Sequence, residues 1–114
     1  MIFRYEITAQ DPEKIRRLVE STGFFYSYEV DIAVELVEDR IAHGSESCYH
    51  FIMADHESRL VGYACYGPIA CTVSSYDLYW IAVHPDFQGH GLGRELMTEA
   101  EKRIAAAGGR RVYV

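Results

Sequence analysis

Residues Tyr76 to Gly93 read YDLYWIAVHPDFQGHGLG, and the rest of the chain is arranged around them. Tyr76 to Val83 is rich in aromatic and β-branched residues and reads as a strand. His84-Pro85-Asp86 stops it, because proline has no N–H for the ladder. Gln88-Gly89-His90-Gly91-Leu92-Gly93 then leads into a helical pattern running to about Ala107. A strand that feeds a glycine-rich turn at a helix start is a ready anion site. The first N–H groups of a helix lack internal partners, and the dipole adds partial positive charge there. Glycines let the backbone approach a phosphate that a Cβ would hold off. His90 and Arg94 add cationic candidates, so the expected ligand is a phosphorylated or pyrophosphorylated small molecule.

Two common phosphate motifs do not fit. A dinucleotide fingerprint counted from Gly89 would need glycine where Arg94 stands, and no acidic residue follows about twenty positions on. The Walker pattern G-x-x-x-x-G-K-[ST] is absent. What remains is Q-x-x-G-x-G after a strand ending I-A-V-H-P. Here the sequence resembles the GCN5-related N-acetyltransferases (GNAT), whose acetyl-CoA signature is [QR]-x-x-G-x-[GA] at the start of the third helix. The match falls on Gln88, Gly91 and Gly93, with Gly89 and His90 in the variable positions.

Downstream, Leu92, Leu96, Ala100 and Ile104 make one apolar stripe joined by Met97, with Glu99 and Arg103 spaced to pair at i,i+4. Gly108-Gly109 ends that helix, and Arg110 to Val114 begins another strand. Strand, crossover helix and strand form a βαβ unit, so this last strand should run parallel to Tyr76–Val83.

Upstream, Ile2 to Ile7 alternates as an opening strand. Asp11-Pro12-Glu13 reads as an N-cap, a first-turn proline and a first-turn acid. Ile15, Leu18 and Val19 form the buried stripe, with Gly23 as the stop. Phe24-Phe25-Tyr26 either plugs the core or lines an acceptor pocket. A second helix is expected over about Tyr28 to Ala42, with Ser27 as its cap. Its apolar face is Val30, Val34, Val37 and Ile41. Its other face carries Glu29, Asp31, Glu35, Glu38 and Asp39. Tyr49 to Asp55 and Leu60 to Gly67 read as strands of a hairpin through His56 to Arg59. Gly62 marks a bulge or a close backbone approach.

The 114 residues, 49% hydrophobic and 25% charged, suit one domain with a modest core. A formal charge of −6 argues against a nucleic-acid binder. No apolar run is long enough to span a membrane. Cys48, Cys65 and Cys71 have no C-x-x-C spacing and read as reduced packing residues, consistent with a cytoplasmic protein. His43, His50 and His56 share no metal spacing, so no metal site is expected.

The resemblance implies an α/β (α+β) fold: a mixed, mostly antiparallel central sheet flanked by helices. The family continues with a further helix and two more strands, so residues 1–114 read as a single domain cut after its fifth strand. Truncation of a longer chain is the first explanation and completion by a second chain the alternative; a homodimer is a further partner expectation, and the isolated chain is expected to be weakly active or inactive. The implied reaction is acetyl transfer from acetyl-CoA to a primary amine of unidentified acceptor. Ile81, Ala82 and Val83 would lie beside the cosubstrate, and the amides of Gln88 to Arg94 would hold the pyrophosphate. Asp77 is the candidate base, six residues before Val83, where several family members place a glutamate. Tyr79 shares its face if the strand alternates. Tyr66 and His84 are alternatives. A non-catalytic CoA-binding or assembly module competes with this reading, and a nucleotide-binding domain stands further off.

Overall fold

Five strands form one sheet in sequence order, β1 (Ile2–Arg4), β2 (His50–His56), β3 (Arg59–Pro68), β4 (Ser75–Val83) and β5 (Arg111–Tyr113). The first three pairings are antiparallel, and β4 with β5 is parallel, as the crossover requires. The fold is therefore the mixed, mostly antiparallel sheet with flanking helices expected above. The computed structural model describes residues 1–68, 75–106 and 111–113; at 45, 68, 75–79 and 111–113 it describes the backbone. Cys71 and the Gly108-Gly109 stop lie outside the described residues.

Helices α1 (Asp11–Thr22) and α2 (Ser27–His43) cover one face of the sheet, and α3 (Leu92–Ala106) covers the other. On the first face, Ile15, Leu18, Val19, Val30 and Val37 pack on Phe51, Met53, Tyr63, Cys65 and Ala82. On the second, Leu92, Leu96, Ala100 and Ile104 pack on Ile52, Ala54, Val61 and Ala64. The four α3 residues are the stripe read from their spacing. Leu96 has no exposed surface, and full burial of such a side chain contributes roughly 1.5–3 kcal/mol.

Several local expectations shift. The opening strand ends at Arg4 rather than Ile7. Asp11 is not an N-cap: Gln10 takes that place without a side-chain bond. The Asp11 carboxylate instead accepts from the Thr8 amide at 2.7 Å and from Arg4 Nη1 at 2.7 Å. Arg4 also donates through Nε to Asp55 at 2.8 Å, so one guanidinium joins β1, α1 and β2. Helix α2 begins at Ser27 with Tyr26 as its cap, and the Glu29 carboxylate accepts the Tyr26 amide at 2.9 Å. Ile41 leaves the apolar face and is exposed, while Ala33 joins it. Glu99 and Arg103 do not pair with each other. Glu99 accepts from the Tyr5 hydroxyl at 2.7 Å, and Arg103 lies over the Tyr5 ring at 3.9 Å. The aromatic ring just past β1, between two i,i+4 charges, offers each a better contact than a solvated ion pair.

Gly62 shows both features its position suggested. The β2–β3 register skips one residue at Val61, a bulge beside Gly62. A Cβ at Gly62 would sit 3.1 Å from Leu92 Cδ2 and 3.2 Å from Leu96 Cδ1. The missing side chain is what lets the first turns of α3 lie close on β3. Among the described residues no helix is long and apolar enough to cross a membrane.

Candidate functional site

The end of β4 sets the geometry. The His84 amide donates to the Val61 carbonyl at 2.8 Å, so His84 and Val61 are a hydrogen-bonded pair. Counting back through the register, Ala82 opposite Tyr63 and Trp80 opposite Cys65 are hydrogen-bonded pairs too. The N–H and C=O groups of Ile81 and Val83 therefore point away from β3, toward the other edge. There β5 pairs only with residues 75 to 77, so among the described residues the edge from Leu78 to Val83 has no strand partner. Of the three residues expected beside a ligand, Ile81 and Val83 offer edge amides, whereas the Ala82 amide serves the ladder. The Ala82 side chain is buried among the α1 and α2 residues, and Ile81 and Val83 pack toward α3.

The β3–β4 register also breaks. Tyr66 lies opposite Leu78 and Cys65 opposite Trp80, leaving Tyr79 with no opposite residue. Strict alternation, which would put Asp77 and Tyr79 on one face, does not run through this bulge. Their side chains lie outside the described ones.

Beyond Val83 the chain makes a 3₁₀ turn at Pro85–Phe87, with the Phe87 amide on the His84 carbonyl at 2.8 Å. Gly89 and Gly91 both have φ of +82°, a left-handed backbone that a Cβ would strain. Leu92, 4% exposed, anchors the helix start, and the Glu95 amide closes the first turn on the Gly91 carbonyl at 3.0 Å. Among the described residues nothing accepts from the backbone N–H groups of Gly89, His90, Gly91, Leu92, Gly93 and Arg94. His90 and Arg94 are exposed beside them. The Gln88 backbone N–H is engaged, donating to the Pro85 carbonyl at 3.4 Å, and one Nε2–H of its side chain donates to the Val83 carbonyl at 3.1 Å. Edge amides suit an extended chain carrying its own amides, and the helix-start amides suit a phosphate.

The alternative bases separate. Tyr66 is buried and stacks on His50, while Arg59 Nη2 lies 2.7 Å from His84 Nε2. The aromatic link divides as well. Phe25 packs edge-on against Trp80 at 4.6 Å, whereas Phe24 and Tyr26 are 78% and 71% exposed. Tyr26 stacks on exposed Tyr28 at 5.9 Å. Part of the acidic face of α2 is already engaged, since Asp31 pairs with Arg16 at 3.0 Å. The sequence reading passed over the Gln88 tie and a cavity between α1 and the β2–β3 turn. Both join residues through the fold, and no local pattern announces either.

The family model described as the Acetyltransferase (GNAT) family matches residues 13–114. The uncharacterized N-acetyltransferase YjhQ of Escherichia coli (strain K12) is 27% identical over 117 residues. That alignment takes in 98% of this chain but 62% of YjhQ, so the chain spans less than two thirds of that relative. A crystal structure from Desulfovibrio desulfuricans, described as a candidate acetyltransferase of the GNAT family, is 48% identical with a TM-score of 0.93. It is matched over 96% of this chain and 69% of its own. A GNAT family acetyltransferase from Brucella melitensis, solved in complex with acetyl-CoA, shares the fold at a TM-score of 0.77 and 24% identity, over 97% of this chain and 72% of that one.

Proposed function

The chain belongs to the acetyltransferase (GNAT) family, and from that premise we propose that it moves an acetyl group from acetyl-CoA to a primary amine. One observation carries the reading. Among the described residues, main-chain N–H groups without a partner run from the β4 edge at Ile81 and Val83 to the α3 start at Gly89 to Arg94. Coenzyme A joins an amide-bearing arm to a diphosphate, and it fits that order of donors. A Cβ built at Gly89 or Gly91 meets no neighbour within 4 Å, so the space in front of these amides is open among the described residues. The acetyl-CoA complex of the Brucella melitensis neighbour supports the same assignment.

In this reading the acceptor nitrogen attacks the thioester carbonyl carbon. An edge amide, Val83 N–H first, donates to the oxygen as it gains charge. The C–S bond then breaks, and the sulfur leaves as thiolate and takes up a proton. An alkyl amine is mostly protonated at neutral pH, so a base must act first, and Asp77 on β4 is the residue assigned to it in this reading. Tyr79, at the bulge, is the second β4 residue assigned to the reacting centre. The exposed carboxylates of α2, with Phe24 and Tyr26 nearby in the chain, would favour a cationic acceptor.

The test is calorimetry with acetyl-CoA on folded protein, followed by an amine panel read by thiol release. Saturable heat and amine-dependent thiol release are expected. Absence of heat would sink the cosubstrate assignment. Binding without turnover on any amine would leave a coenzyme A binding module instead.

A further inference from the structure

A cavity of about 400 Å³ opens on the α1 side of the sheet, between α1 and the β2–β3 turn. Lys14 and Arg17 line it from α1, Arg59 from the start of β3, and His84 from the end of β4, over a floor of Leu18 and Leu60. No carboxylate lines it among the described residues, in a chain whose formal charge is −6. Among those residues two acids meet this group from outside its lining: Glu13 lies 3.1 Å from Arg17 as an exposed pair on the helix surface, and the exposed Asp86 carboxylate lies 3.7 Å from His84 Nδ1. An exposed pair holds its partner weakly. The Lys14 ammonium has no hydrogen bond or ion pair among the described residues.

The contacts of His84 point to a missing acceptor. Arg59 Nη2 lies 2.7 Å from His84 Nε2, and the Asp86 amide lies 3.1 Å from His84 Nδ1. A neutral imidazole has one nitrogen able to accept. It cannot receive both donors, and a protonated ring receives neither. One donor is therefore left without an acceptor as the residues stand. An anion in the cavity removes the conflict: Arg59 turns to it, Nδ1 keeps the Asp86 amide, and Nε2–H becomes a further donor into the cavity.

We propose that this cavity binds a phosphate monoester, separately from the amide run between Ile81 and Arg94. Four donor groups from three elements match a dianion with three terminal oxygens better than a carboxylate with two. The phosphate has two sources, a phosphorylated metabolite or the ribose 3′-phosphate of coenzyme A.

The experiment titrates inorganic phosphate into the 114-residue chain, followed by NMR of the His84 ring and the Arg59 guanidinium, beside the K14Q/R59Q double variant. Saturable shifts at His84 and Arg59 are expected, with at least tenfold weaker binding in the double variant. Shifts confined to residues 89–94, or unchanged affinity in the variant, would overturn the site. The wild-type shifts decide the matter alone if the variant does not fold. Calorimetry with CoA and 3′-dephospho-CoA separates the sources. A tenfold loss for CoA alone in the variant assigns the phosphate to the coenzyme, and an unchanged CoA affinity assigns it to a separate metabolite. Failure of the coenzyme reading looks different, as no CoA binding to either protein while phosphate still shifts His84.

Discussion

Gln88 Nε2 donates to the carbonyl of Val83 at 3.1 Å, so the residue that opens the glycine turn is tied back to the last residue of the strand it left. That carbonyl lies on the strand edge facing away from β3, beside the Val83 N–H. The tie therefore holds the turn against the same edge that offers donors. In the proposed complex this bond would help set the distance between the arm-binding edge and the diphosphate-binding helix start.

Gln88→Ala removes one exposed hydrogen bond, so stability should fall by no more than about 1 kcal/mol. Acetyl-CoA affinity should fall more noticeably, by roughly three- to tenfold, because the two amide groups lose their fixed spacing. Calorimetry paired with urea unfolding separates the two effects. Unchanged affinity would mean the turn keeps its shape without the tie.

Asp77→Asn tests the proposed base. General-base removal costs on the order of 10² to 10⁴ in turnover. The expected result is that loss in kcat with acetyl-CoA affinity retained, and partial recovery at higher pH, where more of the amine is already deprotonated. Turnover equal to wild type across pH would remove Asp77 from the mechanism.

Tyr63 has no exposed surface, and its hydroxyl has no hydrogen-bond partner among the described residues. Burial pushes its phenol pKa well up, so the ring stays neutral. A buried hydroxyl without a partner is a net cost. Tyr63→Phe should therefore raise stability, by about 1 kcal/mol, in a denaturant titration. A loss of stability would reveal a partner for the hydroxyl.

Asp11 supplies an acid-sensitive lock. Burial alone would raise its carboxyl pKa, but the Arg4 guanidinium and the Thr8 amide outweigh burial and hold it below the ordinary 3.8. A depressed folded value means the contribution is complete above about 3.8 and is lost as pH falls through the folded value. Asp11→Asn leaves Arg4 without its buried partner and should cost about 3 kcal/mol at neutral pH. The gap in unfolding midpoint between wild type and variant should narrow as pH drops below about 3.8. A gap constant with pH would show that Asp11 is not ionised in the fold.

Much of the site was legible because its signals are local. Gly89 and Gly91 stand where φ is positive, and that preference belongs to the residues themselves. The α3 stripe follows from helical period, and the strand before it from composition. Where the reading missed, a competing partner from outside the local motif intervened. Asp11 has the look of a cap, yet Arg4 and the Thr8 amide claim its carboxylate. Glu99 and Arg103 have ideal spacing, yet Tyr5 lies between them.

The sequence by itself determined the order of elements, the turn that frees a row of amides, and the family to which the chain belongs. The tertiary structure decided which amides stay free, because pairing with β3 takes those of Trp80 and Ala82 and leaves those of Ile81 and Val83. It also placed the extra residue at Tyr79 and gathered Lys14, Arg17, Arg59 and His84 around one cavity. Backbone preference and periodicity act over a few residues and can be read along the chain. Strand register and side-chain encounter depend on segments tens of residues apart meeting in one packing, which no local pattern encodes.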